Sequence, residues 1–551
     1  MNLGELQYQL IWDRLLAIVE EQAQTLMRTA FSTVVREAGD LSAGVFDIEG
    51  QMLAQAVTGT PGHVNAMALS VGKFLKKYPV ASLCEGDVLV TNDPWDGTGH
   101  LNDFTVVTPV FLEGRCVAFF ASTSHIADVG GRGFGPDAND LYEEGIRIPI
   151  TYLFRKGIRN ETLLSLIKAN VRDPIVAEGD LYSLATCNDS GTAELLGLMR
   201  DYDLSTLEEV GRLILESSRE AMLEDIRGLP KGEFCHEIYI DGYDQPVRLF
   251  CKLVIARDAI EIDFSGSSGP SERGINVPMA YTEAYASFGV RCVVGNDIPN
   301  NSGSLSLVRV TAPEGSLLNA KPPSAVSARH AVGQMLPDVV LGALAQVIPD
   351  RVPAEGASCI WNPVLLSLPT DSRGEKIYEN FVINPIFNGG TGARPGKDGL
   401  STTAFPSGVR TTPIEINEAT SPLIFWRKEY LKDSGGVGEY RGGLGQVVEI
   451  GHADGGPFVI SKMFDRVKHA ASGRKGGGDG AVGRVYIKTG KEQRELGGKG
   501  RDIVPRDTIL VLETPGGGGI GHPQDRPSKI YEKEEKSGLI SKQAQRLSEK
   551  T

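Results

Sequence analysis

Across 551 residues the sequence has no CxxC pair, no HExxH, no GxSxG and no GxxxxGK[ST]. Each absence removes a chemistry: zinc knuckles, helix-borne zinc hydrolysis, a serine nucleophile elbow and a phosphate loop. Two segments approach the last, GARPGKDG at 392–399 and GRKGGGDG at 473–480, but both lack the Ser/Thr and a following helical pattern. The run Gly516–Gly519 leads to Pro523, so no helix N-terminus follows to hold a phosphate. Basic charge is also short, with 56 Lys+Arg against 70 Asp+Glu and a formal charge of −14. A nucleic-acid partner would call for the opposite sign. No apolar run reaches the ~18 residues of a membrane span, and the start, MNLGELQYQLIWDRLLAIVEE, lacks a basic signal region. The seven cysteines are odd in number and scattered, which fits free thiols in a reducing compartment. The expected location is cytoplasmic, with neither a nucleic acid nor a membrane as partner.

Glycine, by contrast, is abundant: 66 residues, against an average of about 7%. No G-X-Y register accompanies it, so the excess must serve turns, bulges and close backbone approaches. Near the start, Ile11, Leu15, Val19, Ala23, Leu26 and Ala30 recur every three or four residues, the stripe of an amphipathic helix whose apolar side is core. Short strands are expected at Gly44–Ile48, Asp87–Val90, Phe104–Phe111 and Cys116–Ala121, and helices at Glu161–Ala169, Gly179–Leu198 and Leu207–Leu223. Residues 232–330 read as strands and turns, followed by a helix over His330–Val347. The fold class is α+β: a multidomain mixed α/β chain with a β-rich, glycine-rich C-terminal domain. Its expected parts are 1–225, 226–432, 433–525 and a polar tail at 526–551, with the C-terminal glycines turning short strands.

One constellation carries chemistry. His100, Asp103, His125 and Asp128 fall within 29 residues around two β-rich runs joined by Leu112-Glu113-Gly114-Arg115. A three-residue loop with Gly114 left-handed would set Asp103 against Thr123, with His125 one diagonal step away on the same face, roughly 7–8 Å off. A two-residue Glu113-Gly114 turn would instead put Asp103 and His125 on opposite faces, so the pairing depends on the loop. Two imidazoles and a carboxylate suit a divalent ion with open positions, Zn, Mn or Fe, able to lower the pKa of water and polarise a carbonyl. The alternative is a set of polar loop residues at one end of a hairpin. Asp128 is the nearest carboxylate for a base or for orienting a ligand imidazole. Further candidates for contacting a substrate are Arg36, Glu37, Asp40, His63 and Asn92. For Arg36-Glu37 and Asp40 a salt-bridged helix end competes with that role, and His63 either caps a helix near Val64 or lines a pocket.

The order RTAFSTVVREAGDLSAGVFD (28–47), GHVNAM, GDVLVTNDPWDGTGHLNDFTVVTPVF, SHIADVGG and EEGIRIP resembles the hydantoinase B/oxoprolinase family. The likeness continues through IDFSGSS (262–268), GNDIPNNSG (295–303), PEGSLLNAKPPSAVSAR (313–329), EYRGGLGQ (439–446) and TPGGGGIGHP (514–523). It implies a B-type subunit of an ATP-dependent hydantoinase or lactamase, which opens a small cyclic amide after phosphorylation. The A-type partner would bind ATP with Mg. It also implies a metal on a His-x-x-Asp pair and a second His about 25 residues on, a spacing met by His100, Asp103 and His125. The family's usual GGTH reads Gly97-Thr98-Gly99-His100 here. Two other roles follow from the same resemblance: the large subunit of an acetone/acetophenone-type carboxylase, or a non-catalytic scaffold for the A-type subunit.

Overall fold

The computed structural model describes residues 5–368 and 381–542; the end of the polar tail lies outside them. The opening helix spans Glu5–Thr29. All six stripe residues are buried, because the helix packs along a second long helix, Pro174–Asp201, and over a sheet. That sheet has seven strands in the order Met52–Gln55, Leu41–Phe46, Arg115–His125, Asp103–Leu112, Val88–Thr91, Thr151–Arg155, Ile158–Arg159. Every pairing in it is antiparallel. Val106 and Phe120 face the two long helices, while Val107, Phe119 and Ala121 face the helix Pro61–Lys77 on the other side. Alternate residues thus feed two cores, so the central strands Asp103–Leu112 and Arg115–His125 are buried nearly throughout.

Those two strands meet in the two-residue turn, with Glu113 and Gly114 both left-handed (φ 50° and 79°) and Leu112 facing Arg115. Taken alone, that turn would send Asp103 and His125 to opposite faces. A bulge cancels it. Phe111 pairs with Cys116 but Val110 pairs with Ala118, leaving Val117 as an extra residue. The one-residue slip it introduces sets Asp103 directly opposite His125.

A four-stranded sheet follows, Gly232–Ile240, Val247–Ile255, Ile260–Asp263 and Val308–Thr311. Between its last two strands lies a helix, Met279–Arg291, where strands and turns were expected. It packs against Pro61–Lys77 and joins the two halves. The single helix expected over His330–Val347 is two, His330–Gly333 and Leu336–Leu344. Pro337 explains the break, since it has no N–H to bond Gly333 and its ring crowds that carbonyl.

The C-terminal part holds two further sheets. Both draw strands from before residue 433: Leu423–Tyr430 pairs with Gln446–His452, and Val364–Ser367 pairs with Phe458–Met463. The boundary expected at 433 therefore runs through both. The glycines here also differ from expectation, because most do not turn strands. Gly516–Gly519 form a thread through the centre of a bundle of extended segments around 391–393, 434–443 and 471–481. A Cβ on Gly516 would sit 1.8 Å from the Ser434 carbonyl oxygen, and one on Gly517 2.0 Å from that of Thr391. Gly518 meets Ser472 at 2.2 Å and Gly519 meets Val437 at 2.2 Å in the same way. Hydrogen bonds run between threads, Gly517 to Gly443, Gly436 to Gly517, Gly518 to Glu355 and Gly519 to Gly478. Glycine is required because backbones touch with no space for a side chain.

Candidate metal centre

The strand pair delivers Asp103 and His125, and the loop before it delivers His100. Gly99 has φ +107°, and a Cβ there would fall 2.7 Å from Arg329 Nε, so the backbone turns there only as glycine. Thr98, which displaces a glycine of the familiar pattern, donates its hydroxyl to Asp103 Oδ2 at 2.8 Å and its carbonyl accepts from Arg329 Nε at 2.9 Å.

Asp103 has no exposed surface, and its two oxygens divide the work. Oδ1 lies 2.6 Å from His100 Nε2 and 3.3 Å from His125 Nδ1. Oδ2 takes Thr98, His63 Nε2 at 2.9 Å and the Arg329 guanidinium. Burial opposes ionisation, but His100, His63 and Arg329 outweigh it and hold the carboxyl well below the usual range. His100 is neutral, its pKa lowered to about 4 by burial and then by the Arg329 charge. Its Nδ1 lies 2.9 Å from the Ser327 carbonyl and its Nε2 2.6 Å from Asp103 Oδ1, two acceptors for the one N–H of a neutral ring. A proton on Nδ1 leaves the Nε2 lone pair facing the carboxylate, a pairing that a cation between them would satisfy. His125 Nε2 is buried with no hydrogen-bond partner.

His100, Asp103 and His125 each offer a ligand atom within 4.8 Å of the others. A neutral imidazole, an ionised carboxylate and an orphaned ring nitrogen form a donor set that fits a divalent cation.

The other expected residues divide. His63 lies in the cavity wall with its Nδ1 3.6 Å from Asp40 Oδ1. Burial works against its protonation, but Asp103 and Asp40 raise its pKa. Arg36 and Glu37 pair with each other at 2.9 Å, half-exposed, and do not border the cavity. Asn92 is consumed by backbone, accepting from the Ile148 N–H and donating to the Leu101 and Ile146 carbonyls. Asp128 corrects a placement: its carboxylate binds Arg172 at 2.6 Å and the Gly130 N–H at 3.1 Å. It braces a loop and does not reach the ligands, so no base role is carried forward for it.

Sequence reasoning missed the opposite wall. Arg329 is fully buried, with its guanidinium 3.9 Å above the Tyr281 ring. His330 Nε2 donates to Asn362 Oδ1 at 3.1 Å, and burial holds its pKa well below the usual value. Phe134 lies against three imidazoles, His125 at 4.9 Å and His100 and His330 at 5.8 Å. The enclosed space is about 30 Å³, room for an ion and a water but for no ring.

Behind His100, Glu144 Oε1 accepts from the Val326 and Ser327 amides, both at 2.7 Å. Burial raises its pKa to about 8. The folded chain thus holds a proton that the unfolded chain releases near pH 4.5. Stability from this group is complete below that pH and falls as pH rises to about 8, by about 1 kcal/mol per unit. Glu144→Gln keeps the acceptor and removes the titration, so urea midpoints at pH 5 and pH 8 should differ less in the variant than in the wild type.

A family model described as Hydantoinase B/oxoprolinase matches residues 4–523. The chain belongs to the hydantoinase B/oxoprolinase family. Within the family it is 31% identical to an uncharacterized protein of Methanocaldococcus jannaschii, over 95% of this chain and 92% of that one. It is 27% identical to a Pseudomonas protein whose name makes it the B-type subunit of a D-/L-hydantoinase, over 96% and 91%. It is 32% identical to 5-oxoprolinase 1 of Arabidopsis thaliana, covering 92% of this chain but 41% of that protein. Two solved structures share the hydantoinase B fold seen here. One is the ATP-dependent caprolactamase of Pseudomonas jessenii, with a TM-score of 0.89 and 22% identity over 99% of this chain and 96% of that one. The other is a nucleotide-free acetone carboxylase, with a TM-score of 0.86 and 17% identity over 98% and 78%. Among the described residues no helix is long and apolar enough to cross a membrane.

Proposed function

We propose that this chain is the hydrolytic B-type subunit of an ATP-dependent hydantoinase or lactamase, working with an A-type subunit that phosphorylates a cyclic amide. The observation that carries the reading is the buried His100–Asp103–His125 triad, in a family whose relatives are named for opening such rings. The phosphate loop missing from this sequence supports placing ATP elsewhere. The oxoprolinase relative is more than twice the length of its matched part, which leaves room for a second activity on one polypeptide.

His100 Nε2, Asp103 Oδ1 and a nitrogen of His125 would hold the ion. When bound, it supplies Lewis acidity and a lowered pKa for water. Arg329 fixes Asp103 from behind, so Oδ1 faces the cavity. A ring amide resists water because nitrogen donates into the carbonyl, and O-phosphorylation removes that donation. Water then adds to the carbon and the ring C–N bond breaks; the acyl phosphate left behind gives carboxylate and inorganic phosphate with a second water, and the departing nitrogen needs a proton. His63, held between Asp40 and Asp103, is placed to supply it. His330, with its Nε2 proton committed to Asn362, keeps the Nδ1 lone pair to orient the water.

Co-expression with an A-type partner and a substrate-dependent ATPase screen over cyclic amides tests this. His100→Ala should abolish ring opening while the complex still assembles; full activity in that variant sinks the assignment. The acetone carboxylase fold likeness motivates a carboxylase as the second reading, and a bicarbonate requirement for turnover would select it.

A further inference from the structure

The space at the ligand cluster, about 30 Å³, is too small to admit the molecule it would act on, yet a cleft of about 560 Å³ is lined by Gly133 and Gly135 on either side of Phe134. We propose that this cleft, between the loop 130–138 and the strand Lys499–Val504, is an oxyanion site that receives the phosphoryl group of the activated substrate, with Phe134 as the partition. The phosphoryl identity rests on the function proposed above; the anion site rests on the cleft itself.

Size is the first argument, since the cleft falls within the 300–1,000 Å³ range of small-molecule sites and the space around the ligands does not. Charge is the second. Arg132, Arg501 and Lys499 line the cleft, but the Lys499 ammonium is engaged by the Phe464 carbonyl at 2.6 Å and Asp465 at 3.0 Å. The Arg132 guanidinium donates to the Asp137 carbonyl at 2.9 Å and lies 3.5 Å from Glu143, which leaves Arg501 as the main donor. Arg501 donates to the Arg132 carbonyl, and Arg172 stands close by, tied to Asp128. Burial, then repulsion by Arg132 and Arg172, lowers the Arg501 pKa against the pull of Asp137. Asp137 also accepts the Tyr243 hydroxyl at 2.6 Å. A dianion would relieve that repulsion through forked contacts.

The third argument is Glu144. It lines the cleft at 5% exposure, and its Oε2 is buried with no partner. Its other oxygen holds the Ser327 amide, and the Ser327 carbonyl holds His100. Glu144 therefore lines the cleft and reaches His100 through the Ser327 peptide. Gly133 and Gly135, the neighbours of Phe134, line the cleft while the Phe134 ring covers the imidazoles. A Cβ on Gly135 would meet Ser461 Oγ at 2.6 Å, so this part of the loop packs directly on the strand Phe458–Met463.

The test uses inorganic phosphate and the purified full-length chain. Calorimetric titration should show saturable binding at one site, weakened about tenfold or more in Arg501→Gln, the loss of one charge-assisted contact. Arg501→Lys should keep part of it, and melting temperature and bound metal should not change. In the complex with its A-type partner, Arg501→Gln should raise KM for the cyclic amide. No phosphate binding by the wild type, or wild-type affinity in both Arg501→Gln and Arg132→Gln, overturns the site. Weakened phosphate binding with an unchanged KM assigns the cleft to departing phosphate and overturns its receiving role. Binding that behaves as expected in a chain that opens no ring keeps the anion site and removes the function proposed above.

Discussion

Asp103→Asn will lower stability by on the order of 3–5 kcal/mol and abolish ion binding at the proposed metal site. The substitution is nearly isosteric, so packing is not its cause. Asp103 is the counter-ion of Arg329, and both are fully buried. With a neutral amide in its place, Arg329 keeps its charge in an apolar surround with Tyr281 and the Thr98 carbonyl as company. The amide also keeps one acceptor oxygen where the carboxylate had two, so either the His100 side or the side shared by Thr98 and His63 meets an NH2 group instead. Pairing it with Arg329→Met should recover much of the stability and none of the metal, because the Met removes the stranded charge but cannot restore Oδ1. Chemical unfolding of the four proteins of that cycle, with metal analysis of each, measures both. Additive losses in the double variant would show that the two groups act separately.

Gly516→Ala will abolish soluble expression. The added methyl would lie 1.8 Å from the Ser434 carbonyl oxygen, and the obstacle is backbone, which cannot rotate away. Gly72→Ala provides the contrast. It lies on the exposed side of the helix Pro61–Lys77 with nothing within 4 Å of the new methyl. It should stabilise the protein by about 0.5–1 kcal/mol. Thermal melts and soluble yield of the two variants separate these outcomes. Soluble, wild-type-like Gly516→Ala would mean the threads do not pack as described.

Much of the fold was legible because it follows simple periodicity. The stripe from Ile11 to Ala30 is buried throughout, and the two central strands appear where β-branched and aromatic residues run together. The helix Met279–Arg291 was invisible because nine of its thirteen residues are buried, so it has no polar side to mark a period. The triad was legible from residue types, but the reason it converges was not. The turn came out as the unfavourable alternative, and the bulge at Val117 that rescues the register has no glycine or proline to announce it. Arg329 and His330 were hidden by distance along the chain, more than two hundred residues from the aspartate they serve. Within the segment PEGSLLNAKPPSAVSAR, Arg329 closes the seven-residue uncharged run that follows Lys321, the signal that was there to weigh. The acid nearest in sequence, Asp128, misled because it spends its carboxylate on Arg172.

The glycine bundle has a consequence for the order in which the chain can fold. Its threads come from residues near 391, 434, 443, 473 and 480, and the one that joins them, Gly516–Gly519, is the last of these to be synthesised. Until it arrives, the earlier threads present peptide groups with no partners and no side chains to cluster by. Little local nucleates them, since glycine has the largest backbone entropy to lose and the contacts made by Gly516–Gly519 all span long stretches of chain. The sheets that share these loops must wait as well. The N-terminal half can close its own cores while this half is still on the ribosome, so a slow final phase, blind to the state of the metal centre, belongs to the C-terminal threads.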